Sequence, residues 1–176
     1  MLLGLFLTFC RVVIGVIFAF SFLSKMGNVV AFETTIINFR LLPKYFSKVA
    51  AVLFLLGEFI VTVCMAIGGK LLSLGFSLAV FLLVVFSIAL VTVLVRKIQT
   101  SCNCFGTNSK AISYYDVARN AGFVGCAISG WGVLSMSSTM PATLNLPELA
   151  LVGFVAVTFI VIWMHLAEIV DLFRLI

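Results

Sequence analysis

Five stretches of about twenty mostly apolar residues, divided by short polar breaks, constrain this chain more than any other feature of it. A helix rises about 1.5 Å per residue and the hydrocarbon layer of a bilayer is roughly 30 Å thick, so each stretch is long enough to cross one. With 64% hydrophobic and 10% charged residues, 176 residues cannot hide that much apolar surface in one water-soluble core. The sequence therefore reads as an all-α integral membrane protein, a single transmembrane domain over residues 1–176. Its expected architecture is a bundle of about five transmembrane helices, a four-helix core plus one, with a short interfacial helix. The expected location is a cell membrane crossed several times, with the lipid bilayer as first partner.

The spans are expected at about 2–24, 49–67, 71–95, 118–136 and 149–173. The first has no basic n-region and is too long for a cleaved signal peptide, so it reads as a retained span. Between Asn28 and Ser47, Val29, Phe32, Ile36 and Ile37 interleave with Glu33, Asn38 and Arg40, a pattern suited to a short interfacial helix that Pro43 would end. Gly68-Gly69-Lys70 is a tight turn, and residues 96–117 form a polar hairpin. The hairpin ends in Ser113-Tyr114-Tyr115-Asp116, a helix start with Ser113 or Asp116 as cap. Gly122, Gly125, Ala127, Gly130 and Gly132 predict that the fourth span packs closely inside the bundle, away from lipid.

The net charge of +5 points to lipid phosphates and gives no support for nucleic-acid binding. Lys25, Arg40, Lys44 and Lys48 flank the first loop and Arg96, Lys97, Lys110 and Arg119 the third, whereas the second has only Lys70. By the positive-inside rule loops one and three are cytoplasmic and the N-terminus is outside.

Five cysteines scattered over helices and one loop do not form a secreted disulfide framework. Cys102 and Cys104 stand apart because they lie in the polar hairpin, separated only by Asn103. Their alpha carbons can be about 7 Å apart when extended, so a disulfide between them requires a bend and is strained. Strain and exposure make such a bond labile and exchanging. Arg96, Lys97, Lys110 and Arg119 nearby favour the thiolate, the form that attacks disulfides and binds soft metals. Zinc is not indicated, because His165, the one histidine, lies in another span. Cys126, eight residues into the fourth expected span, reads as a packing residue or as a relay thiol. Cys10 and Cys64 read as packing residues at similar depth, close enough to pair.

Ionisable groups inside a bilayer need partners or functions. Arg11 and Glu58 sit at similar distances from one membrane edge, which predicts an Arg11–Glu58 bridge between spans one and two, either structural or part of a polar site for a quinone or a proton path. His165, Glu168 and Asp171 are placed near the last edge, by headgroups.

Cys102-Asn103-Cys104-Phe105-Gly106, followed by Arg119-Asn120 opening the next span, the early Arg11, Lys25 after span one and Glu58 in span two together resemble the MauE/DoxX family of small membrane redox proteins. The resemblance extends over about residues 7–135. It implies a membrane thiol–disulfide oxidoreductase or redox relay that acts with a thioredoxin-like or exported cysteine-containing partner. Cys102 and Cys104 would be the redox pair, while Arg11, Lys25, Glu58 and Asn120 match family positions without assigned roles. In that role the pair faces the oxidising side, against the count of basic residues. No cofactor is evident, and a quinone as redox partner is suggested only by analogy with other membrane thiol oxidases. Two other readings use the same residues differently: a soft-metal carrier that passes an ion from the two thiolates towards Cys126, and a non-catalytic assembly factor that docks a partner on Asn28–Ser47.

Overall fold

A computed structural model describes residues 2–39, 43–97, 113–136, 145–165 and 170. Among them the chain forms α1 (Leu2–Met26), α2 (Val29–Asn38), α3 (Lys44–Ile67), α4 (Leu71–Val95), α5 (Tyr114–Met136) and α6 (Leu146–Met164), with no strand. Among the described residues, four helices are long and apolar enough to cross a membrane: α1, α3 from Tyr45, α4 and α6. The 23-residue α5 is as long as these, but Asp116, Arg119, Asn120 and its serines and glycines make it less apolar. It packs along α1 and α4 as the fifth long element of the expected bundle.

Successive long helices run antiparallel. Ser21 of α1 meets Glu58 of α3 while Arg11 meets Met65. Gly57 of α3 abuts Leu82 of α4 and Cys64 abuts Gly75. Asn120 of α5 reaches Leu83 of α4, and Gly130 lies against Phe76. The C-terminus of α1, the N-terminus of α3, the C-terminus of α4 and the N-terminus of α5 therefore share one end of the bundle. Leu7, Cys10, Val13, Ile14, Val61, Phe76, Phe123 and Ala127 form the core, while Leu53, Phe81, Ile88, Leu151 and Phe154 point outward, as lipid contact requires.

The boundaries follow from capping. Asn28 is the N-cap of α2 and its side chain accepts the Ala31 N–H at 3.1 Å. The expected interfacial helix is thus shorter, and Pro43 does not end it but caps α3. Proline suits a helix entry because its missing N–H would be unpaired there anyway. Span two consequently begins at Lys44, five residues before the expected 49. Ser113 precedes α5, and Asp116 accepts its backbone N–H at 2.9 Å and its hydroxyl at 3.3 Å, so the two expected cap residues act together. In α6, Glu148 accepts the Asn145 N–H at 3.1 Å, and described helix runs to Met164 with His165 as C-cap. The remainder of the expected last span, with Glu168 and Asp171, lies outside the described residues apart from residue 170.

The fourth span is not wholly interior. Asn120, Phe123, Ala127 and Gly130 are buried, but Ala121, Gly125, Ile128, Ser129 and Trp131 are exposed. Close packing holds for one face only: a Cβ on Gly130 would come within 2.7 Å of the Phe76 ring and 2.9 Å of the Cys10 Cβ, whereas one on Gly125 or Gly132 would touch nothing. Trp163 of α6 covers Gly122, stacks on Phe159 with centroids 5.5 Å apart, and donates Nε1–H to the Arg119 carbonyl at 3.0 Å.

Candidate functional site

Lys25 closes α1 one turn after Ser21, so both side chains lie on the face turned to α3. Helical side chains lean towards their own N-terminus. Lys25 therefore leans from the bundle end into the interior, and Glu58 of the antiparallel α3 leans towards that same end. They meet: Lys25 Nζ pairs with Glu58 Oε1, and neither side chain is more than 3% exposed. Ser21 completes the cluster, donating its hydroxyl to Glu58 Oε1 at 2.9 Å and accepting from Lys25 Nζ at 2.9 Å. The Phe32 and Phe54 rings face the ammonium at 4.7 and 4.9 Å, cation–π contacts worth about 0.5–2 kcal/mol each.

From α5, Asn120 donates its amide to the Leu83 carbonyl at 2.9 Å and to Ser87 Oγ at 2.6 Å, tying α5 to α4. Ser21, Lys25, Glu58 and Asn120 line one cavity with Phe18, Phe54, Leu82, Leu83 and Phe86. With its open mouth the cavity holds about 360 Å³ of empty space, of which about 30 Å³ can be occupied by the centre of a water molecule. Among the described residues, Glu58 Oε2 is buried and has no hydrogen-bond partner. A buried acceptor left unmet costs about 1–3 kcal/mol, more when charged, so this atom is the site's unspent capacity.

Three residues singled out in the sequence, Lys25, Glu58 and Asn120, are thus brought together. Ser21 joins them, and the one mark of it in the sequence is its placement four residues before Lys25. Lys25, which by its place at the end of the first span belongs with the cations flanking the first loop, holds its charge inside the bundle.

Arg11 does not bridge to Glu58. It leans towards the N-terminus of α1, away from Glu58, and donates Nε–H to the Met65 carbonyl at 2.6 Å and Nη2–H to the Ala66 carbonyl at 2.8 Å. These are last-turn carbonyls of α3, where a cation is favoured. Gly68 caps α3 at φ +80°, and its Cβ would lie 2.8 Å from the Arg11 guanidinium, so both backbone conformation and space require glycine.

Nor do Cys10 and Cys64 pair. Cys10 meets the Cys126 thiol across α1 and α5, while Cys64 faces Gly75 of α4, and among the described residues no disulfide joins any of the three. Cys126 is half-buried and its thiol neighbour is Cys10. Cys102 and Cys104, with Lys110, lie outside the described residues.

The fold and the buried pair define a multi-pass helical membrane protein with a polar site inside its bundle. The chain belongs to the MauE family: residues 3–135 match the family described as "Methylamine utilisation protein MauE". A curated relative, the "Methylamine utilization protein MauE" of Paracoccus denitrificans, is 27% identical over 136 residues, covering 77% of this chain and 72% of that protein. No solved structure matches.

Proposed function

We propose that this chain is a membrane thiol–disulfide redox protein in which Cys102 and Cys104 exchange disulfides with a thioredoxin-like or exported cysteine-containing protein. One observation carries the reading. The Cys102-Asn103-Cys104-Phe105-Gly106 sequence belongs to the stretch of chain that joins α4 to α5, and the two helix ends it joins are at the bundle end towards which Lys25, Glu58 and Asn120 converge. The relative's name adds a pathway to the proposal: the exported partner would serve methylamine utilisation.

In the reducing direction, the thiolate of one cysteine attacks the partner's disulfide, forming a mixed disulfide and expelling one partner thiolate. The second cysteine attacks the mixed bond, closing Cys102–Cys104 and releasing the partner as a dithiol. Two electrons and two protons pass to the partner, and the reverse sequence oxidises it. A quinone, suggested by analogy alone, fits the cavity incompletely. Its carbonyls only accept hydrogen bonds, and so leave Glu58 Oε2 unmet.

The test is mixed-disulfide trapping in membranes with Cys102→Ser and Cys104→Ser singly and together. One single variant should accumulate a covalent complex that a reductant dissolves, and the double variant none. If no variant traps a partner and both thiols stay reduced under oxidant, the proposal fails.

A further inference from the structure

The cavity itself has a chemistry that the thiol reading does not use. We propose that it binds a neutral, lipid-soluble compound carrying a hydroxyl group, which donates its O–H to Glu58 Oε2. This inference stands on the described helices and does not depend on Cys102 or Cys104.

Among the described residues, Glu58 Oε2 is the buried side-chain nitrogen or oxygen left without a hydrogen-bond partner. The Lys25 ammonium is enclosed by Ser21, Glu58 Oε1 and the faces of Phe32 and Phe54. The Asn120 amide nitrogen is spent on Leu83 and Ser87. Glu58 Oε2 remains, on a side chain about 98% buried. Paired with an ammonium, a carboxylate is acceptor-only, so the ligand group that satisfies it must be a donor.

The rest of the wall selects among donors. A second cation would meet Lys25 at close range and is disfavoured by like charge. An anion would meet the Glu58 carboxylate at close range and is disfavoured in the same way. The apolar side chains around the polar end ask for a carbon body, and a hydroxyl that finds its acceptor there costs far less than a charge to carry into such surroundings. The enclosed space agrees: about 30 Å³ open to the centre of a water-sized group, against the roughly 10–15 Å³ that one water needs, takes a hydroxyl and leaves the carbon body to the mouth. The enclosed end admits the hydroxyl and the mouth admits the body.

The experiment compares 4-fluorophenol with 4-fluoroanisole, its methyl ether, which keeps the ring and loses the O–H. Binding to the full chain in phosphatidylcholine nanodiscs is followed by fluorine NMR. The phenol should bind saturably and about tenfold or more tighter than the ether, as a hydrogen bond to a charged acceptor gives. Glu58→Gln places an N–H where Oε2 stood, and the preference should fall to about twofold or less. Should that variant not fold, the double variant Lys25→Met, Glu58→Met removes both charges and the acceptor together, with the same loss expected. Equal affinity for both probes, no saturable binding of either, or a preference that survives in the variants overturns the proposal. The Cys102→Ser, Cys104→Ser chain should keep the full preference, so failure of the thiol reading and failure of this one give different results.

Discussion

Replacing Lys25 by methionine should be among the most damaging single changes in this molecule, and adding Glu58→Met should undo the damage. In the single variant Glu58 keeps only the Ser21 hydroxyl on Oε1, and Oε2 is unmet already. An uncompensated buried charge costs about 3–5 kcal/mol. Losing the two cation–π contacts is softened because methionine also packs well on aromatic rings. In the double variant no charge remains to be buried, and apolar replacement of a buried pair is commonly neutral or stabilising by about 1–4 kcal/mol. The two sites should therefore couple by about 3 kcal/mol or more. At about 2–4 °C per kcal/mol, Lys25→Met should lower the unfolding midpoint in detergent by about 6–20 °C, and the double variant should return to within a few degrees of the parent. Tryptophan fluorescence of Trp131 and Trp163 on heating reads this out without added labels. If the double variant is as unstable as the single, the pair is not what makes Lys25 necessary. A harmless single variant would mean that Glu58 is not buried with Lys25 at all.

Arg11→Met should cost about 1–3 kcal/mol by stripping two bonds from the end of α3. Gly68→Ala should cost a similar amount through strain at positive φ and collision with the same guanidinium; both show as a lowered midpoint. Asn120→Ala should cost about 1–2 kcal/mol and loosen α5 from α4, measured as a widened distance between spin labels on the two helices. In a chain with Cys102 and Cys104 replaced by serine, a lipid-soluble oxidant should cross-link Cys10 to Cys126, seen by peptide mapping, and leave Cys64 free to alkylation. A Cys10–Cys64 bond would contradict the packing of α1 against α5.

The elements were legible in the sequence because membrane helices are set by length and apolarity. Leu71–Val95 begins and ends where the residues alone put it. The beginning of α3 was not legible, since Pro43 reads equally as the end of one helix or the start of the next. The site was half legible. Glu58 and Arg11 announce themselves as charges within apolar runs, but their partners depend on which way each side chain leans, and linear distance from the membrane edge does not carry that. Lys25 was misleading because a lysine at the end of a span ordinarily reaches for headgroups, and here it turns inward. Ser21 lies in an apolar run where a hydroxyl usually satisfies itself on its own helix. The exposed face of α5 was hidden because small residues permit close packing on every side and neighbours occupy only one.

The brief Gly68-Gly69-Lys70 link has a consequence for biogenesis. So short a connection favours joint entry of α3 and α4 into the bilayer as a hairpin, and α1 is translated before both. A carboxylate at mid-helix opposes insertion by about 2.5–3.5 kcal/mol. Lys25, translated earlier and waiting at the rim, offers Glu58 its counter-charge on arrival. The order of synthesis thus provides the partner before the need for it arises.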